Sequence, residues 1–226
     1  MKKETMVKIF ELRTYVDNLE FVGKTDVLKR IDGIILCEMN DQKIGKFDLY
    51  SLASDDEIRK PLMGVYHKDG YKYVTNTHIL CKIKHDYEPE FEGRVIMPDG
   101  SLLPEEETRV PRYDSVIPAD LKDYICIDVD FSKVAEWQKV AKLHKKIYSK
   151  YAMLYVSVHE DTTFAFEDFV KFAKAMQAFG LSQIMVHEKD RTKFGVAKND
   201  ETTIVICPSV KSLNDVECEE VKWFKL

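Results

Sequence analysis

The sequence lacks any long uninterrupted run of apolar residues, and it contains only nine glycines, seven prolines and five cysteines in 226 residues. A membrane-spanning helix needs about 18 consecutive apolar residues, and no window of this chain approaches that length. Lys2 and Lys3 are followed by Glu4 instead of the apolar stretch of a signal peptide. We therefore expect a soluble cytoplasmic protein with no membrane contact.

Paired cysteines and an excess of basic charge are also missing. The five cysteines form no Cys-x-x-Cys pair and lie mostly in apolar runs, which is typical of free thiols in a reducing compartment. Acidic residues outnumber basic ones by 39 to 34, so the net charge is -5. Contact with nucleic acid would therefore require a local basic face on an acidic protein.

The common catalytic motifs are absent as well. The sequence contains no phosphate-binding or dinucleotide-binding glycine pattern, no zinc-protease motif, no nucleophile elbow and no metal-type spacing of Cys or His. Asp128 and Asp130 form an Asp-x-Asp pair that suits a divalent cation, so a metal-dependent enzyme stays as an alternative. Residues at i and i+2 also share the outer face of a half-buried strand. We predict no catalytic residue, no metal site and no cofactor.

The first part of the chain is weakly patterned. We interpret residues 1–46 as an N-terminal extension in which Met6–Tyr15 and Gly33–Met39 resemble strands. From Phe47 onward, a short mixture of apolar and polar residues predicts a brief helix that ends in an acidic turn.

A three-stranded meander follows. The β-rich runs Met63–His67 and Tyr71–Thr75 flank an Asp-Gly pair, which favours a tight hairpin. His78–Ile83 continues the meander. Residues 85–123 hold five of the seven prolines and predict a domain boundary.

The second half alternates strands and helices. Val134, Trp137, Ala141 and His144 recur at helical spacing and define the buried face of a helix that Ser132 would cap and that ends near Ser149. The other predicted elements are strands at Tyr124–Asp130, Tyr151–Val158, Gln183–Glu188, Lys193–Lys198 and Thr202–Cys207, and a second helix at Glu167–Phe179 closed by Gly180. This order predicts an α+β fold with antiparallel sheets and two helices packed on one face.

Three segments carry a resemblance to a known family. Arg112–Leu143 resembles the opening of the last domain of bacterial sliding clamps, the β subunit of DNA polymerase III, and Phe166–Pro208 is similar to the second helix and closing strands of that domain. Arg59–Leu80 resembles the clamp segment that ends in a Thr-Asp-Gly-His-Arg-Leu motif. Matches to that motif are Thr75, His78 and Leu80, and departures are Asn76, Thr77 and Ile79.

The resemblance implies a DNA-clamp-like fold in abbreviated form. Bacterial clamps carry three domains per chain, whereas this chain has room for a shortened domain at 47–118, a full one at 119–210 and a tail at 211–226. Three chains would supply the six domains of a clamp ring. A dimer and a monomer remain open.

The resemblance also implies contact with duplex DNA through the helices. Lysines lie on the faces of both predicted helices opposite their apolar stripes, where they would meet phosphates without reading bases. The candidates are Lys139, Lys142, Lys145, Lys146, Lys150, Lys171 and Lys174. A solvated helix face that contacts nothing is the alternative.

The clamp resemblance further implies a pocket for a hydrophobic peptide of a partner protein. Carried over by position, the pocket residues are Thr75, His78, Leu80, Val205, Cys207 and Pro208. The alternative is that these are ordinary strand and core positions. We expect the tail at Val221–Leu226 to cover the core.

Two functional hypotheses from different classes follow. The first is a non-catalytic clamp-like protein that binds duplex DNA without sequence specificity or docks replication and repair proteins. The second is a protein-interaction adaptor with the same fold and no DNA binding. Candidate partners are duplex DNA, replication or repair proteins and further copies of the chain.

Overall fold

The computed structural model describes residues 12–18, 47–85, 89–148, 153–159, 162–209 and 221–226, with shorter stretches before residue 45. The two long helices are α1 at Phe131–Tyr148 and α2 at Phe166–Ala178. The strands are β1 Lys43–Ile44, β2 Phe47–Asp48, β3 Val65–Lys68, β4 Tyr71–Thr75, β5 Ile79–Lys84, β6 Val95–Ile96, β7 Tyr124–Asp128, β8 Met153–His159, β9 Thr162–Ala165, β10 Gln183–His187, β11 Gly195–Lys198, β12 Thr202–Ile206 and β13 Val221–Lys225.

Eight strands form one antiparallel sheet in the order β6-β3-β4-β5-β12-β11-β10-β7. Four of its strands come from residues 65–96 and four from residues 124–206, and they meet where β5 pairs with β12. Leu80 lies opposite Val205 and Cys81 opposite Ile204 in this pair. The two halves of the chain are therefore joined by a continuous hydrogen-bonded sheet.

A smaller sheet has the order β13-β8-β9, and β13 pairs with β8 in parallel. Phe224 on β13 is buried, and its ring lies 5.4 Å from that of Trp137 and 4.7 Å from that of Phe166. The end of the tail thus extends the small sheet and covers the core, in agreement with the sequence prediction.

The two helices lie side by side. α2 contacts β12 of the large sheet and β8 and β9 of the small one, while α1 contacts α2 and β13. The Asp130 carboxylate accepts hydrogen bonds from the backbone N–H groups of Ser132 and Lys133. Asp130 therefore caps α1. The prediction of Ser132 as the cap is wrong because the helix begins at Phe131, so Ser132 already lies within its first turn.

The main core lies between α2 and the two sheets. Its largest fully buried side chains include Phe164, Phe169 and Phe172. Phe164 packs against the backbone of Gly195, where a Cβ atom would come within 2.8 Å of the ring. Glycine at this position lets β11 pass directly beneath the aromatic layer.

The predicted turns are present. Asp69 and Gly70 both have positive φ, at 52° and 73°, as a two-residue hairpin turn requires. Gly180 has a φ of 68° and follows α2 as predicted. The predicted α+β class, with antiparallel sheets and two adjacent helices, is confirmed.

Other predictions differ from the structure or lie outside the described residues. Residues 12–17 are helical, so the strand prediction for Met6–Tyr15 is wrong there; Val16 instead packs in a small cluster with Ile31. Gly33–Met39 lies outside the described residues. The predicted helix from Phe47 is instead strand β2 followed by two 3-10 helices, Leu49–Leu52 and Glu57–Leu62. Among the described residues, no helix combines the length and the apolar character needed to cross a membrane.

Candidate partner-binding pocket and helical faces

An apolar cavity of about 290 Å³ lies on the large sheet where the two halves of the chain meet. Five of the six residues predicted for a peptide pocket line it together: Thr75, His78, Leu80, Val205 and Cys207. Pro208 directly follows the last of these and is not one of the lining residues. The remaining lining residues are Leu62, Thr77, Ile79, Pro111, Arg112, Tyr113, Val116 and Phe194.

Strand pairing brings together two walls of the pocket, one from β4 and β5 and the other from β12. Leu80 is the register partner of both Thr75 on β4 and Val205 on β12. The backbone N–H of Cys207 donates to the carbonyl oxygen of His78 at 2.7 Å, which extends this pairing past the end of β12. Residues more than 120 positions apart in sequence thereby share one surface.

The third wall is a segment that the pocket prediction did not include. Tyr113, in the 3-10 helix Tyr113–Val116, stacks on Tyr73 with ring centroids 5.2 Å apart and also contacts Tyr66. Burial raises the pKa of the Tyr113 hydroxyl. This aromatic cluster holds the wall against the sheet. The only sequence signal for it is its place in the segment Arg112–Leu143, which carries part of the family resemblance.

A charged contact fixes the same wall from outside. The Lys82 amine lies 2.7 Å from the Asp114 carboxylate and 4.3 Å from the ring centroid of Tyr71. Burial opposes the charge of Lys82, but hydrogen bonds to Asp114 and Tyr73 outweigh that effect and raise the pKa of the amine. The wall therefore has both an apolar and an ionic attachment.

The turn between β4 and β5 forms the lip of the pocket. Thr77 adopts a φ of 79°, which is unfavourable for a β-branched residue. The Asn76 side-chain oxygen accepts from the backbone N–H groups of His78 and Ile79, and the Thr75 hydroxyl oxygen accepts from the N–H of Thr77. These hydrogen bonds hold the strained residue in place, so the lip is a defined structure.

The chemistry of the pocket is that of a binding surface. Burial, reinforced by the negative charge of Asp168, raises the pKa of the Cys207 thiol. The thiol is therefore protonated at neutral pH and is unsuited to nucleophilic attack. The rest of the lining consists mainly of apolar side chains, which favour the burial of apolar anchors, and Thr75, Thr77, His78 and Arg112 add polar groups.

The predicted lysines lie on exposed helix faces. Lys139, Lys142, Lys145, Lys146, Lys171 and Lys174 are all solvent-exposed, and Lys150 lies outside the described residues. The Lys145 amine pairs with Glu167 across the two helices. Glu136 and Glu167 are the exposed acidic residues of the described helical positions, so six lysines minus two glutamates leave a net charge of +4 on these faces.

α1 also exposes an apolar stripe that the sequence analysis did not identify. Val140, Leu143 and Ile147 are 44%, 61% and 64% exposed and recur at helical spacing. At about 100° per residue, the stripe lies on the side of α1 opposite Lys145, which faces α2. It is therefore open on the outer side of the helix pair.

The two aspartates considered for metal binding have structural partners. Asp130 caps α1, and the hydrogen bonds from Ser132 and Lys133 lower the pKa of its carboxyl group. Asp128 accepts a hydrogen bond from the Gln183 amide at 2.9 Å. No group of three potential metal ligands is found in the described part of the chain.

Comparison with known proteins relates the fold to bacterial DNA polymerase III β sliding clamps. The clamp of Thermotoga maritima is 14% identical, over 80% of this chain and 65% of its own length, with a TM-score of 0.50. The Bacillus subtilis clamp is 13% identical over 80% and 63%, with a TM-score of 0.49. The Borrelia burgdorferi clamp, solved with a natural product, is 16% identical over 72% and 60%, with a TM-score of 0.47.

The similarity between this chain and the sliding clamps is one of fold. No protein-family model and no curated protein matches the sequence. The chain spans less than two thirds of the length of these clamps. It has a sliding-clamp fold in a shorter form.

Proposed function

We propose that this protein is a non-catalytic, clamp-like scaffold of the cytoplasm that docks short hydrophobic segments of partner proteins in the apolar pocket. The proposal depends on one observation: Thr75 on β4, Leu80 on β5, and Val205 and Cys207 on and just after β12 line the same cavity of about 290 Å³. The partner class we propose is replication or repair proteins, in keeping with the clamp fold. In this proposal residues 47–118 and 119–210 act as two clamp-type units with the pocket at their junction.

Burial of apolar anchors would supply the affinity. A leucine or phenylalanine side chain moved from water into such a cavity contributes about 1.5–3 kcal/mol, so two anchors are sufficient for weak, reversible docking.

Replacing Val116 with aspartate is expected to weaken peptide binding by at least about tenfold, because a charge in an apolar pocket opposes burial of the anchors. The probe is a fluorescein-labelled octapeptide with a leucine and a phenylalanine separated by one serine and flanked by asparagines. Its binding is measured by fluorescence anisotropy.

The matched control is Ser115→Asp, which adds the same charge to an exposed neighbour that does not line the pocket. It is expected to bind the probe like the wild type. Equal binding by Val116→Asp and the wild type would remove the pocket as the docking site.

A second function, binding of duplex DNA, is favoured by a different observation: the +4 net charge on the exposed faces of two adjacent helices in an acidic protein. Ammonium groups on adjacent helices can neutralise phosphates without reading base edges. Such binding would be independent of sequence and sensitive to salt.

Reversing Lys139, Lys142 and Lys146 to glutamate is expected to weaken binding of a fluorescein-labelled 30-base-pair duplex by about 30-fold at 50 mM salt. If each lysine neutralises one phosphate, the slope of log affinity against log salt falls by about 3. Anisotropy titrations between 50 and 200 mM salt measure both quantities.

The control reverses Lys84, Lys189 and Lys198, which are exposed on the strands and their connections, not on the helices. It introduces the same change of net charge. If both triple variants bind DNA equally, the helix faces are not the DNA site, and the adaptor without DNA binding becomes the better account.

Assembly of several copies is part of the proposal. The apolar stripe Val140, Leu143 and Ile147 is open on the outer side of α1 and suits contact with another copy. Three copies of this 26.3 kDa chain would supply six clamp-type units. Light scattering of the purified protein tests this: a mass near three chains supports the ring, and a monomer at all concentrations removes it.

A further inference from the structure

One wall of the pocket carries a positive charge that has no acidic partner among the described residues. Arg112 lines the cavity, and no aspartate or glutamate does so within the described residues. Arg112 is exposed and forms no ion pair in the part of the chain that the structure describes. A guanidinium at the rim of an apolar cavity is a ready partner for a carboxylate.

Three other basic residues, on the segment 59–94, differ from Arg112 in having an acidic partner. Arg59 pairs with Asp56 at 2.7 Å, Lys60 with Glu107 at 2.7 Å, and Arg94 with Glu105 at 3.5 Å. The nearest acidic residue along the chain, Asp114, is engaged by Lys82 and by the Tyr73 hydroxyl. Arg112 is therefore available to a bound molecule.

We infer that the pocket selects acidic hydrophobic segments, in which apolar anchors fill the cavity and a flanking carboxylate pairs with the Arg112 guanidinium. This inference rests on the proposed peptide-docking function and specifies the chemistry of its partner. Arg112 acts as a specificity-determining residue.

The negative charge of Asp168, near Cys207, favours placing the ligand carboxylate at Arg112. Asp168 lies close enough to Cys207 to affect the thiol electrostatically, and its carboxylate is 3.3 Å from the Asn76 amide at the lip. A ligand carboxylate is disfavoured near Cys207 and favoured near Arg112. Because the protein as a whole has a net charge of -5, a preference for an acidic ligand must come from such a local cation.

The test uses three fluorescein-labelled octapeptides with the same leucine and phenylalanine anchors. The positions flanking the anchors on both sides are aspartate, asparagine or lysine, so the outcome does not depend on the direction of the bound chain. Wild-type protein is expected to bind the aspartate peptide about fivefold more tightly than the asparagine peptide and the lysine peptide least tightly. The aspartate preference is expected to shrink between 50 and 500 mM salt.

Charge reversal assigns the preference to one residue. Arg112→Glu is expected to invert the order, with the lysine peptide bound best, and to bind the asparagine peptide like the wild type. The matched control is Arg109→Glu, an exposed arginine of the same segment that does not line the cavity. It is expected to keep the wild-type order.

The outcomes separate the inference from the proposed function. Equal affinity for all three peptides in wild-type protein, together with sensitivity to Val116→Asp, would overturn the role of Arg112 and leave peptide docking standing. An aspartate preference that survives in Arg112→Glu would also overturn the inference. Failure of all three peptides to bind would overturn both.

Discussion

Replacing Phe172 with alanine is expected to lower the free energy of unfolding by about 4 kcal/mol. Phe172 is fully buried on α2, and its ring lies 6.2 Å from that of Phe169 in the aromatic layer between the helix and the sheets. The substitution removes a fully buried aromatic ring from this layer and leaves a cavity that close-packed neighbours cannot fill. Urea unfolding followed by circular dichroism measures the loss.

The control for Phe172 is its exposed neighbour. Lys171→Ala changes the same turn of α2 on the solvent side and is expected to alter the free energy of unfolding by less than about 0.5 kcal/mol. Since a domain has a total stability of about 5–15 kcal/mol, the Phe172 variant loses a large part of it. A loss below about 1 kcal/mol would show that α2 does not hold the two sheets together.

Acid is expected to destabilise the fold through His67. Burial, assisted by the positive charges of Lys72 and His85, lowers the pKa of His67 to about 3. The ring packs edge-on against His85 and Phe91, and its Nε2 atom has no hydrogen-bond partner among the described residues. The folded state therefore requires the neutral imidazole.

The direction of the effect follows from proton binding. In the unfolded chain a histidine has a pKa near 6.5, so between pH 6.5 and pH 3 the unfolded state binds the extra proton. The stabilising contribution of neutral His67 is present above pH 6.5 and is lost as the pH falls towards 3. Between pH 6.5 and pH 4.5 the free energy of unfolding falls by about 2 kcal/mol through His67 alone.

The measurement compares the pH dependence of unfolding in two variants. His67→Phe keeps a ring of similar size without a titrating group and is expected to lose about 2 kcal/mol less than the wild type over that interval. His78→Gln, at an exposed histidine, is expected to follow the wild type. Identical slopes in wild type and His67→Phe would show that His67 can be protonated without disturbing the fold.

Local patterns predicted most of the elements. Alternating apolar residues predict the strand at Tyr124–Asp128, and the structure confirms it. Helical spacing of buried residues predicts α1, and the structure confirms this helix as well; these residues are Val134, Trp137, Ala141 and His144. The N-terminal helix at residues 12–17 was missed because few of its residues are buried, so the sequence shows no clear period. Short strands such as β6 leave too few residues to form a pattern.

The pocket could be predicted only in part. Thr75, Leu80 and Val205 were named because they match a motif that the family resemblance supplies, and the β5–β12 pairing then brings them together. The wall containing Tyr113 depends on stacking with Tyr73, and such a contact between segments 40 residues apart leaves no periodic trace in the sequence.

The amino-acid sequence by itself determined the element types of the second half, the tight turns and the lysine-bearing helix faces, because each depends on the dihedral preferences and side-chain spacing of neighbouring residues. Tertiary structure alone decided which strands pair across the chain and that the tail joins the small sheet in parallel. It also decided that Arg112 borders an apolar cavity with no acidic partner among the described residues, and that Val140, Leu143 and Ile147 stay exposed. These features arise from packing between segments that are distant in sequence, and such contacts leave no periodic pattern of apolar residues within either segment.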